Sequence, residues 1–299
     1  MTGRAWTLLR VAFVAAAVAG AVWSWRASGG EVQQALGRLA PGQVLGAGAV
    51  VLLGLLLTGS VWRLALGGFA AGGPWREVVP PFFVAQLGKY IPGSVWSFAA
   101  QGALAARRGL PARVPATAAV LFLGVHVASG ALLVGVLGWW ADLPRWLVAA
   151  SLLVGLVGLA PAVHRWLGSR LAGTDCRWDL ARSVGGLLRM VPVWTAYALA
   201  LAVLAPARDI REVLTMGCAF ALAHAAGAAF PLAPAGLGAR EAVLVLLLAP
   251  VLGADVAGAL ALVARLLHTL ADFAVAAASW VVVRRPGSRE AAPPPHEAH

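Results

Sequence analysis

Nine apolar stretches, at 7–25, 44–66, 80–106, 115–140, 146–163, 187–204, 211–230, 236–252 and 256–283, take up most of the 299 residues. No polar stretch between them is long enough for a soluble domain. An apolar run of about 20 residues matches the hydrocarbon thickness of a bilayer. There the backbone must satisfy its own polar groups, so only helices and closed barrels cross. These runs lack the alternation of barrel strands and read as helices. With 61% hydrophobic and 12% charged residues, the chain lies far from the roughly 25% charged of soluble domains. The expected fold is an all-α polytopic membrane protein, one transmembrane domain over 1–285 and a disordered cytoplasmic tail over 286–299. Thr7 to Trp25 suits a first span, with Trp6, Trp23 and Trp25 as interfacial anchors, although the positive start and apolar middle of Arg4–Trp25 also fit a signal peptide.

The net charge of +11 would suggest nucleic acid as partner in a soluble protein. Here it reads as the excess of basic residues on cytoplasmic loops. With the N-terminus inside and 80–106 folded as a re-entrant hairpin, fifteen arginines lie inside and five outside. With 80–106 as a simple span the split becomes seven to thirteen, which the positive-inside rule rejects. Both termini are therefore expected in the cytoplasm, in a cytoplasmic (inner) membrane. The preference for arginine over lysine, with abundant Ala and Gly, suggests a GC-rich bacterial genome. Cys176 and Cys218 do not suggest a disulfide framework.

Lys89 is the sole lysine, set in the middle of an apolar stretch. A charge at mid-bilayer costs about 2.5–3.5 kcal/mol on insertion scales, so such a residue has a partner or a ligand. Gly88, Pro92 and Gly93 break the helix beside it, and broken backbone at that depth is tolerated only where protein or water satisfies it. Pro80 and Pro81 suit the start of the first arm. Gln86, Tyr90, Ser94 and Gln101 are placed to line a polar cavity. A second break, at 230–238, has Pro234, Gly236 and Gly238 at its tip, and 211–252 is either a hairpin or two spans. The order span, span, hairpin, span then occurs twice, over 5–140 and 144–284, with opposite starting sides. That is an inverted-topology repeat with a broken element in each half, a plan on which transporters build binding sites.

Arg240 and Glu241 follow the second tip, where a helix N-terminus favours anions and arginine adds a bidentate donor. They also fit a local charge pair. Arg265, His268 and Asp272 share one face of the last span through spacings of three and four, and that face must point into the bundle. Arg265 and Asp272 are expected to interact there, directly or through water, with Arg265 as an anion contact and Asp272, His268 and Glu241 as counter-ions or proton carriers. His126 and His224 read as isolated structural histidines.

The strings QLGKYIPGSVW (Gln86–Trp96) and PAGLGAREA (Pro234–Ala242) resemble the paired signatures of the lysylphosphatidylglycerol synthase transmembrane family, also called flippase-like or UPF0104 proteins. The resemblance covers about 5–284. It implies a membrane protein that moves or handles lipid-linked substrates, with Lys89, Tyr90, Pro92, Gly93, Gly236, Gly238, Arg240 and Glu241 at motif positions. In the best-known members this domain translocates an aminoacylated phospholipid and is fused to a soluble aminoacyl-transferase. These 299 residues hold no such domain, so synthase activity is not carried over.

The sequence shows no catalytic motif, no Asp-x-Asp pair and no Cys/His spacing for a metal, and no cofactor is expected. The expected function is translocation of an anionic or polyprenyl-phosphate-linked lipid, with Lys89, Tyr90, Gln86, Ser94, Arg240 and Arg265 as the substrate contacts. The alternatives are a membrane transferase using Glu241 or Asp272 as base, and a non-catalytic partner of envelope-synthesis enzymes.

Overall fold

The computed structural model describes residues 34, 37–90, 97–98, 100–102, 111–229 and 234–284; all secondary structure in them is helical. The first expected span, the tail, and Pro92, Gly93 and Ser94 of the first tip fall outside these residues.

Helix α1 (Pro41–Gly67) opens on a proline, whose missing N–H costs nothing in the first turn. The Gln43 side chain accepts from the Ala40 N–H at 3.0 Å, which steadies that start. Helix α2 (Trp75–Gln86) tightens into a 3-10 turn, Leu87–Tyr90. Pro80 and Pro81 lie inside α2 rather than at its start. The carbonyls they deprive of a donor belong to Arg76 and Glu77, which are exposed, so water can satisfy them. Trp62 of α1 holds α2 by donating from Nε1 to the Val78 carbonyl at 2.9 Å and by stacking on Phe82.

Helix α3 (Arg113–Leu137) is followed by α4 (Arg145–Gly158) and α5 (Pro161–Ala172), which meet at 56°. The sequence suggested a straight span at 146–163. Pro161 instead starts a new helix, because it lacks the N–H that would continue α4. Helix α6 (Leu180–Leu204) starts well before its apolar run. Asp179 sets that start, its carboxylate accepting from the Arg182 N–H at 2.8 Å.

Helices α7 (Ile210–Ala229) and α8 (Ala239–Leu252) flank the second break, and α9 (Ala254–Arg284) completes the described chain. Among the described residues, five helices are long and apolar enough to cross a membrane, and the bent α4–α5 pair makes a sixth if counted as one span. The chain is an all-α polytopic membrane protein. Helix α8, with 14 residues, is about 21 Å long and short of a hydrocarbon core of about 30 Å. The second broken element thus has one arm of full length, α7, and one short arm.

Helices α1 and α6 pack along each other, α2 lies on α9, and α7 lies on α3. The two tips, Leu87–Tyr90 and Pro234–Gly236, touch. Small residues permit the closest approaches, the usual device where lipid offers no hydrophobic drive for packing. At the α3–α4 crossing, a Cβ on Gly135 would sit 2.6 Å from the Leu152 amide nitrogen, and one on Gly155 2.7 Å from the Leu132 Cβ. Alanine at either position is expected to destabilise the protein by about 1–3 kcal/mol, the cost of overpacking. Both variants together should cost less than the sum, because the first already forces the helices apart. Thermal unfolding in detergent reads this directly.

Candidate functional site

The two tips and the middles of α3, α6, α7 and α9 enclose a cavity of ≈ 210 Å³. Lys89 and Tyr90 reach it from the first tip, Gln86 and Gln101 from the flanking arms, and Ala235 and Gly236 from the second tip. Arg240 comes from α8, and Arg265, His268 and Asp272 from α9. The structure brings these polar residues to one cavity, Arg240 included, which on sequence also fitted a local pair with Glu241.

The second tip is built from unusual backbone. Ala235, Gly236 and Gly238 have φ of 49°, 72° and 84°. Glycine takes this left-handed region freely, whereas alanine in it costs about 1–2 kcal/mol. Gly236 also crosses Gly227 of α7 so closely that a Cβ on it would meet the Gly227 Cα at 2.6 Å. The crossing fixes the start of α8 against the end of α7, and with it the position of Arg240.

The ion pairs differ from the expected ones. Asp272 pairs with Lys89, Nζ to Oδ2 at 2.7 Å, and the Tyr90 hydroxyl donates to the same oxygen at 2.7 Å. Arg265 pairs with Glu241 at 2.5 Å rather than with Asp272. Arg265 and Asp272 lie on one face, but each reaches toward a different tip. The first pair ties α9 to the first tip, and the second ties α9 to the start of α8. The local pairing of Arg240 with Glu241 is also overturned. Glu241 turns back and accepts from the Gly238 N–H at 2.7 Å, so the N-terminus of α8 has its own carboxylate in place.

Arg240 is left over. Its guanidinium lies over the Phe220 ring, 4.6 Å from the centroid, and its Nη2 is buried with no hydrogen-bond partner. Among the described residues it has no ion pair. A buried guanidinium nitrogen without a partner is costly and calls for an explanation.

Three histidines form the wall beside it. His126 and His224 stack at 4.5 Å, and His268 lies on Phe220 at 5.1 Å and against Tyr197 at 4.8 Å. The Nδ1 of His268 lies 2.7 Å from the Ala264 carbonyl, which can only accept, so that nitrogen carries the hydrogen. His268 Nε2, His126 Nε2 and His224 Nδ1 are buried without partners. Among the described residues, no group of three His, Cys, Asp or Glu is placed to hold a metal ion. His126 and His224, which read on sequence as isolated structural histidines, both line the cavity. Each stands alone on an apolar helix, and the nearly 100 residues between them carry no periodic signal that would join them. Gln101 donates to the Phe82 carbonyl at 3.4 Å, which holds the returning arm of the first element against α2.

The arrangement is a polar chamber with aromatic rings in its wall and three cationic side chains, Lys89, Arg240 and Arg265, beside it. Those cations can hold an anionic group. No curated protein matches the chain. The family model for the lysylphosphatidylglycerol synthase transmembrane region matches residues 7–276, nearly the whole chain including both tips and every described residue of the cavity, and the protein belongs to that family.

Proposed function

We propose that the protein translocates an anionic or polyprenyl-phosphate-linked lipid across the cytoplasmic membrane, its headgroup passing through the cavity between the two tips. The observation that carries this reading is Arg240, a half-buried cation whose Nη2 is buried with no hydrogen-bond partner among the described residues, in a cavity that both broken elements line. A headgroup resists crossing because its charge is costly in hydrocarbon. A path must replace headgroup hydration with fixed donors while the acyl chains stay in lipid. Arg240 offers such a donor at rest. Lys89 and Arg265 become available when an incoming anion replaces Asp272 or Glu241 as their partner. Both carboxylates accept from cations at rest, which suits counter-ions better than general bases and favours transport over a transferase.

The helix pairs support an inverted repeat. Exchanging the halves turns α1 into α6 and the α2–α9 pair into the α7–α3 pair, and all three contacts are present. Inverted halves supply two nearly equivalent conformations for alternating access. Cysteine labelling tests the topology. Cysteines at Gly72 and Arg108 are expected to react from the same, cytoplasmic, side, and reaction from opposite sides would remove the repeat. The function itself is tested by reconstituting the protein in vesicles with fluorescent anionic and prenyl-phosphate lipids and following leaflet exchange. A wild-type protein that moves none of them, yet forms a lipid product, would establish the transferase instead.

A further inference from the structure

The charges around the cavity can be counted. Lys89 is matched by Asp272 and Arg265 by Glu241, each in direct contact. Arg240 has no acid in contact. With neutral histidines, the described residues of the site carry one positive charge more than they cancel. The walls around this charge include Phe82, Phe122, Tyr197 and Phe220 beside the polar Gln86, Gln101 and the three histidines, so it is screened less than a charge in open water.

We propose that the cavity selects a singly charged anion, a phosphodiester headgroup, over the doubly charged phosphomonoester and over diphosphates. This rests on the reading of the cavity as a headgroup site and deepens it. One negative charge leaves the occupied site neutral. A second would stay uncompensated in this partly buried site, unless Lys89 or Arg265 left its carboxylate and stranded that carboxylate instead. Burying an unmatched charge is the larger penalty in either case. The three histidines add to the selection. A ring nitrogen that keeps a lone pair accepts a hydrogen bond but repels a second anionic oxygen. A diester esterified with a hydroxyl-bearing group presents one charged face to Arg240 and donors to His126, His224 and His268.

The test is binding to the purified full chain in detergent, read by thermal shift and by native mass spectrometry. Three short-chain probes share the dioctanoylglycerol body and differ in headgroup: dioctanoyl phosphatidylmethanol, a diester; dioctanoyl phosphatidic acid, a monoester; and dioctanoylglycerol, which lacks the phosphate. At about pH 8.5 the diester carries one charge, the monoester carries nearly two, and ordinary histidines are neutral. The wild type should bind the diester at least about tenfold more tightly than the monoester. Asp272→Asn raises the count by one and should bring the monoester level with the diester or above it. Lys89→Met combined with Asp272→Asn restores the count and should restore the preference for the diester. Glu241→Gln makes the same change as Asp272→Asn from the other pair, and serves if the first variant unfolds. Equal binding of monoester and diester by the wild type overturns the proposal while leaving the headgroup site standing. So does a preference that stays unchanged in both single variants. Binding of none of the probes, or binding that ignores Arg240→Met, overturns the headgroup site as well.

Discussion

Arg240→Met is expected to slow lipid exchange in reconstituted vesicles by about 10- to 100-fold, and at the same time to leave the protein as stable as before or more so. The two effects have one cause. In the resting protein the guanidinium lies over the Phe220 face, and its buried Nη2 has no hydrogen-bond partner among the described residues. A hydrogen bond from a charged group is worth about 1.5–3 kcal/mol when a ligand accepts it, and each 1.4 kcal/mol is tenfold. Without the ligand the same group is a buried liability, so an apolar side chain of similar length removes a cost of about 1–3 kcal/mol. Exchange rates and thermal unfolding measured on the same preparations decide the matter. A variant that exchanges lipid at the wild-type rate would remove Arg240 from the path. Lower stability with unchanged transport would make Arg240 a packing residue on Phe220.

The second large effect is on stability. Asp272→Asn is expected to destabilise the protein by about 2–3 kcal/mol. Asp272 is buried and accepts from both Lys89 and Tyr90 through one oxygen. Losing its charge strands Lys89 in the cavity wall. Broken buried pairs cost about 3–5 kcal/mol. The lower figure applies here because the Lys89 side chain keeps 35% of its surface exposed and can draw in water. Adding Lys89→Met to Asp272→Asn should recover most of the loss. A double-mutant cycle is the sharper measurement. It should show strong coupling between Lys89 and Asp272 and almost none between Arg265 and Asp272, which have separate partners. The reverse pattern would mean that the functioning protein uses the same-face pair that the sequence suggests.

The sequence by itself determined the architecture, because a bilayer leaves a chain few choices. Apolar runs of this length must be helices. Clustered Gly and Pro mark the second break, with one helix ending at Ala229 and the next starting at Ala239, whereas Pro80 and Pro81 sit inside α2. Charge in hydrocarbon must face inward, which placed Lys89, Arg240, Arg265 and Asp272 in one interior site. Helix ends were less legible where a polar cap or a proline outweighed hydropathy. Asp179 starts α6 ahead of its apolar run, and Pro161 breaks the expected fourth span.

Only the tertiary structure decided which charge meets which. Helical spacing puts Arg265 and Asp272 on one face, but a face is a direction and not a contact. The two tips, separated in sequence by more than a hundred residues, deliver Lys89 to Asp272 and Glu241 to Arg265. That exchange leaves Arg240 as the unmatched cation and turns a list of charges into a site with a net sign. The histidines follow the same logic. His126 and His224 look like two unrelated core residues until the packing of α7 on α3 stacks their rings. Local rules fix direction and depth along each helix, and the pairing of groups from distant helices is set by how the helices pack.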